Sequence, residues 1–246
     1  MKISIITACL NSEKTIEDAI LSVVNQNFPN IEYIIVDGGS TDGTLRIIEK
    51  YKDKISKVIS EPDKGLYDAM NKGIQVTTGE IVGILNSDDF YTANNVIGEI
   101  VQFFEKGNDA VYGDLIYVER EDKGKIVRKW QAGEFESKKL KYGWAVPHPS
   151  FFVRKNLYEK YGLFNLDFKI AADYELMLRF LVKNIKIAYF KNYLVCMREG
   201  GLSASNLRQR MNGWKELYMA WKVNQLNPPF YLVLTRTVSK ISQYFK

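Results

Sequence analysis

Histidine and cysteine are nearly absent from this 246-residue chain, which holds one His (His148) and two Cys (Cys9, Cys196). The two cysteines lie far apart and match no metal-ligand spacing, so the expectation is two free thiols and no cysteine metal centre. No apolar run approaches the roughly 20 residues needed to span a bilayer. No G-x-G-x-x-G or Walker pattern stands at a strand end, which counts against NAD binding and P-loop ATP chemistry. Lys2-Ile3-Ser4-Ile5-Ile6 reads as a strand with no leader before it. Internal repeats and low-complexity segments are missing too. The expectation is a soluble, cytoplasmic protein, peripheral at most to the inner face of a membrane.

What is present can build a core: 46% of the residues are apolar, which argues against wholesale disorder. The length suits one large domain, or one with a small appendage. The net charge of +5 is unevenly placed. Between Ser205 and Lys246 stand seven basic residues (Arg208, Arg210, Lys215, Lys222, Arg236, Lys240, Lys246) against the single acid Glu216. The rest of the chain is close to neutral, so the basic excess belongs to this tail.

The hydrophobic pattern alternates between strands and helices. Residues 3–10 form a nearly continuous apolar run, as in a strand buried on both faces. Asn11 or Ser12 is placed to cap a helix carrying Ile16, Ala19, Ile20, Val23 and Val24 on one stripe. Tyr33-Ile34-Ile35-Val36 reads as a second strand and Lys57-Val58-Ile59 as a short third. Ile81 to Leu85 reads as a fourth, with a helix predicted over Tyr67–Val76 and another from Asn94 to Glu105. Such alternation predicts an α/β fold with a mostly parallel, Rossmann-like sheet and helices on both faces. After about residue 118 the pattern fades: a hairpin turn near Gly124, an aromatic irregular stretch from Trp130 to Phe152, and a helix around Ala172–Leu178. Strand pattern returns over Ile185–Cys196. Two amphipathic helices close the chain, separated at Pro228-Pro229. The expected division is residues 1–110, 111–204 and a helical tail, 205–246.

In parallel sheets the ligand crevice lies outside the carboxyl ends of the strands. Three polar constellations fall at such ends. In Asn86-Ser87-Asp88-Asp89, two adjacent carboxylates repel unless a cation sits nearby. Oxygen donors suit Mg²⁺ or Mn²⁺, but the same residues also make an ordinary turn. Asp37-Gly38-Gly39-Ser40-Thr41-Asp42-Gly43 is either a ligand-approaching loop, with Asp37 accepting from a base or ribose, or a capped βα turn. In Glu61 to Gly73, Asp68 and Asn71 share a helix face and Lys64 is placed to counter phosphate charge. His148, between Pro147 and Pro149, is either a structural ring or a contact to acceptor or diphosphate. Trp144 is either a sugar platform or a loop anchor.

Taken in order, these motifs resemble family 2 glycosyltransferases of the GT-A fold, of the kind that build bacterial cell-surface polysaccharides. The resemblance rests on Thr7 to Asn11, the Asp37–Gly43 turn, Lys64-Gly65 through Gly73, and Gly79-Glu80 before Asp88-Asp89. It continues in Ala172-Asp173-Tyr174-Glu175-Leu176 with Arg179, and in Gly200-Gly201-Leu202-Ser203. It spans residues 1 to about 205. Departures are Leu10 where an aromatic is usual, Asn86 in place of a first Asp, and Ala172 in place of a Glu.

The resemblance implies an inverting transferase that moves a sugar from a nucleoside-diphosphate sugar, UDP favoured, to a glycan or lipid-linked acceptor. Thr7 and Asp37, with Asp42 close by, would bind the base. Asp88 would hold the ribose, Ser87 would be a further donor-binding residue, Asp89 would hold Mg²⁺ or Mn²⁺, and Asp173 would be the general base. The apolar neighbours Ala171, Ala172 and Tyr174 suit a strengthened base at Asp173. A nucleotidyltransferase and a non-catalytic sugar-nucleotide binder are the competing readings. The tail suits a membrane surface, packing on the domain, or a homodimer. Nothing suggests nucleic acid.

Overall fold

The computed structural model describes residues 1–200 and 207–241. Gly201, Leu202 and Ser203 of the late glycine loop, together with Phe245 and Lys246, lie outside the described residues, as do the side chains of Arg208, Arg210 and Lys240.

Strands β1 (Ile3–Cys9), β2 (Ile31–Asp37), β3 (Lys57–Ser60) and β4 (Ile81–Ile84) pair in parallel, in the order β3-β2-β1-β4. Their crossovers are α1 (Ile16–Val24), α2 (Thr44–Lys50) and α3 (Leu66–Val76). Every residue of β1 is buried, because helices cover both faces of the sheet. Ile6 and Ala8 pack with Ala69, Met70 and Ile74 of α3. Ile3, Ile5 and Cys9 pack with Ile16, Ala19, Ile20 and Val23 of α1. This alternation, a property of any strand, decides which side chains can face a ligand.

Beyond β4 lie β5 (Phe90–Tyr91), α4 (Val96–Glu105), β6 (Ala110–Val118) and β7 (Ile126–Trp130), then β8 (Phe151–Arg154), α5 (Lys155–Tyr161), α6 (Ala172–Leu181) and β9 (Ile187–Arg198). The sheet continues β4-β8-β6-β9-β5, with β7 on β6. Strand β8 runs antiparallel to both β4 and β6, while β6 and β9 pair in parallel. The parallel, doubly wound arrangement therefore holds through β4 and returns only at β6–β9. The intervening strand arrives by loops and 3-10 turns and not by a crossover helix.

Two helices follow, α7 (Leu207–Val223) and α8 (Leu232–Ile241). Helix α7 buries Leu217, Ala220 and Trp221, and the Trp221 indole N–H donates to the Tyr174 hydroxyl of α6 at 2.8 Å. Arg236 of α8 lies over the Tyr174 ring and donates to the Gly143 carbonyl at 3.1 Å. No helix among the described residues is long and apolar enough to cross a membrane.

Candidate active site

A cleft of about 1380 Å³ opens beyond the carboxyl ends of β1 and β4. Its walls come from both halves of the chain, among them Asn11, Asp42, Asp63, Ser87, Asp88, Arg120, His148, Asp173, Arg198 and Trp214. Asn11 takes the left-handed conformation (φ 49°), which Asn tolerates better than most residues. Its amide N–H donates to Ser40 Oγ at 2.8 Å, and its carboxamide oxygen accepts the Thr41 amide at 2.9 Å. Neither Asn11 nor Ser12 caps α1 through its side chain. Asn11 instead ties the end of β1 to the loop after β2. Ser12 and Ser87 hydroxyls, 2.9 Å apart, tie the same loop to the turn after β4.

That turn separates its two carboxylates. Asp88 faces the cleft, 3.5 Å from the Arg120 guanidinium, and Arg198 donates to its carbonyl at 2.8 Å. Asp89 is fully buried beneath it and accepts the Asn86 carboxamide at 2.8 Å. Burial, and then the charge of Asp88, push the Asp89 carboxyl well up. Arg198, itself buried, also pairs with Asp18, and so braces the turn from β9. Asp88 is thus the carboxylate that faces the cleft, and Asp89 lies beneath it. Asn86 Oδ1 and Asp89 Oδ1 are buried oxygens without hydrogen-bond partners. No cluster of three His, Cys, Asp or Glu able to enclose an ion is found among the described residues. The donor set fits Mg²⁺ or Mn²⁺ held by one carboxylate, with phosphate and water completing the shell.

At the other elements Asp173, in the first turn of α6, is half-buried. The Tyr67 hydroxyl of α3 lies 3.3 Å from Asp173 Oδ1 and donates to the Ile170 carbonyl at 2.8 Å. Burial, followed by the charge of Asp173, pushes the Tyr67 phenol well up, so it stays a donor. Glu216 of α7 accepts the backbone amides of Lys169, Ile170 and Ala171 at 3.0, 2.9 and 2.7 Å. The turn leading into Asp173 is thus clamped by α3 on one side and α7 on the other. His148 stands on the same wall with its ring edge on Phe164. Burial pushes its pKa down against the pull of Asp173, leaving a neutral ring at pH 7.

Several residues singled out from sequence are placed elsewhere. Thr7 is fully buried on the α1 side of β1, where its hydroxyl accepts from Tyr33 at 3.1 Å. Asp37 is fully buried too and accepts the Gly39 and Ser40 amides and the Ser60 hydroxyl. Neither side chain lines the cleft. Lys64 is exposed and off the cleft wall, and Asp68 accepts its amide at 3.0 Å as a turn-holding group. Asp42 sits on the rim and caps α2 through the Thr44 amide at 2.9 Å. Burial works against its charge, but the Thr44 and Glu13 donors hold it low. Trp144 donates its indole N–H to the Ala132 carbonyl and packs on Tyr112 and Phe135, an anchor and not a platform. Sequence reasoning missed Arg120, Arg198 and Glu216, which no short-range motif marks, and gave no role to Asp63 inside Glu61 to Gly73. Tyr67 stood inside a recognised motif without a role.

The description Glycosyl transferase family 2 matches residues 4–162. A PGL/p-HBAD biosynthesis glycosyltransferase of Mycobacterium bovis is 28% identical over 207 residues, covering 81% of this chain and 78% of its own. An uncharacterized glycosyltransferase of Mycobacterium tuberculosis is 33% identical over 187 residues, covering 72% and 68%. Among solved structures, S. aureus TarS 1-349 in complex with UDP-GlcNAc matches with a TM-score of 0.70 at 20% identity, over 100% of this chain and 73% of that one. The mannosyltransferase PcManGT from Pyrobaculum calidifontis, in complex with GDP-Man and Mn2+, matches at 0.68 and 16% identity, over 97% and 69%.

Proposed function

The chain belongs to glycosyl transferase family 2, has the GT-A fold and is a glycosyltransferase, and from that premise we infer that it transfers a sugar with inversion from a UDP-sugar to a hydroxyl of a glycan or lipid-linked acceptor. The observation that carries this reading is that Asp88 and Asp173, from opposite halves of the chain, line one cleft at the strand ends. The donor class is supported by the TarS structures with UDP and UDP-GlcNAc.

Asp173 takes the proton of the acceptor hydroxyl, while Tyr67 orients its carboxylate. The freed oxygen bonds to the anomeric carbon on the face opposite the scissile bond. The electron pair of the broken carbon–oxygen bond leaves with the nucleoside diphosphate. Arg120 and Arg198 add positive charge on the wall that Asp88 shares. A divalent ion at Asp88 would, when bound, neutralise charge on the departing diphosphate.

The test is metal-supplemented turnover of a panel of UDP-sugars. Asp173→Asn is expected to abolish transfer while UDP still binds. Undiminished transfer by a folded Asp173→Asn protein removes the base from this scheme. Peripheral attachment to a lipid surface is supported by Phe230 (90% exposed), with Leu234 and Val238, on the outside of α8 and the loop before it.

A further inference from the structure

We propose that Asp63 reads the nucleobase of the donor and selects bases that offer a ring N–H. The inference rests on the cleft being a nucleoside-diphosphate-sugar site. It begins from a vacancy in the expected scheme. Asp37 is buried and fully engaged by the Gly39 and Ser40 amides and the Ser60 hydroxyl, so it has no oxygen to offer a base. Its neighbour Gly38 carries no side chain, and a Cβ built there would collide with the Asp63 carboxylate. Asp63 therefore occupies the volume past the end of β2 that a side chain at position 38 would fill.

Asp63 is half-buried and lines the cleft with Ala8, Cys9, Leu10 and Asn11. Its Oδ1 accepts the Gly65 amide at 2.7 Å, which fixes the carboxylate. Its Oδ2 has no hydrogen bond among the described residues. Burial, then the nearby charges of Asp37, Asp42 and Asp63, push the Cys9 thiol up, so Cys9 adds an apolar, uncharged surface at this corner. An ionised carboxylate accepts hydrogen bonds and cannot donate them. Uracil N3 and guanine N1 present a hydrogen, whereas cytosine N3 and adenine N1 present a lone pair. A fixed acceptor at this corner retains the first two and repels the others.

The experiment is calorimetric titration of the full chain with UDP, GDP, CDP and ADP at fixed Mg²⁺. The wild type is expected to bind UDP or GDP at least about tenfold tighter than CDP and ADP. Asp63→Asn, whose amide can donate to cytosine N3, is expected to weaken the preferred UDP or GDP about 10- to 100-fold while CDP binding holds or improves. Gly38→Ala, which displaces the carboxylate without removing it, is expected to erode the same preference, with CDP affinity and the far-UV circular dichroism spectrum reporting an intact fold. An unchanged base preference in Asp63→Asn, or an equal loss of all four nucleotides, overturns the assignment. A wild type that binds none of the four overturns the donor reading itself, and the assignment with it.

Discussion

Glu216→Ala tests whether the C-terminal helices belong to the catalytic apparatus. Glu216 is the only acid after Ser205, and it holds three consecutive amides that precede Asp173. Removing the carboxylate leaves all three donors unpaired. The Lys169 amide is exposed and water can replace its partner. The Ile170 and Ala171 amides are half-buried, and two unsatisfied donors of that kind cost about 2–4 kcal/mol together. Part of that loss falls on global stability and part on the geometry of Asp173. If about half reaches the transition state, kcat falls roughly 5- to 30-fold, since each 1.36 kcal/mol is tenfold. Donor KM is expected to stay within about twofold, because Asp88 and Asp63 are untouched. Both half-buried amides bond the same oxygen, Glu216 Oε2. Glu216→Gln keeps a carbonyl oxygen there and is expected to recover most of the rate. The assay is release of nucleoside diphosphate against pH, with thermal denaturation alongside. A Glu216→Ala enzyme with a lowered Tm but wild-type kcat and pH profile refutes the positioning argument.

Other outcomes follow from the same geometry. Asp88→Asn is expected to raise the Mn²⁺ concentration for half-maximal turnover more than about tenfold, whereas Asp89→Asn leaves it within about twofold; a larger effect at Asp89 refutes this and supports the assignment made from sequence. Glu32, buried under β1, is held at about 2: burial raises it, but the Ser4, Thr78 and Lys2 donors outweigh that. A depressed carboxyl stabilises above its unfolded pKa of about 4.5 and loses that stability as pH falls toward 2. Thermal stability of the wild type should therefore drop across that window, and Glu32→Gln should flatten the slope. Phe230→Ser with Leu234→Ser is expected to reduce co-sedimentation with anionic liposomes severalfold; unchanged binding removes α8 from any membrane contact.

The parallel half of the fold was legible because β1, β2 and β4 are buried apolar runs and its helices carry one apolar stripe. Asp42 was readable as a cap for the same local reason. The β6–β7 hairpin was legible from Gly124 and its charged flanks. Strand β8 was not, since four residues inside an aromatic loop acquire a partner only through long-range antiparallel pairing. Thr7 and Asp37 lie off the cleft wall, and a strand buried on both faces carries too little alternation to say which face its polar members take. Asp88 and Asp89 differ by one position in a turn, and Arg198, which braces that turn, stands 110 residues away. Glu216 read as one acid in a basic tail, because its three partners lie some 45 residues upstream.

The position of β8 also bears on how the chain must be made. It is threaded between β4 and β6, and Gly83 of β4 is bare because Phe152 of β8 would meet a Cβ there at 2.6 Å. A ribosome delivers β4 long before β8. In that interval the nascent sheet carries an unpaired edge whose side chains are wholly buried in the finished protein. Residues 1–110 expressed alone keep that edge open for good, and should form dimers or aggregates through it. The segment that closes the edge leads on into α5 and α6, so the strand that pairs with β4 also carries the chain toward Asp173.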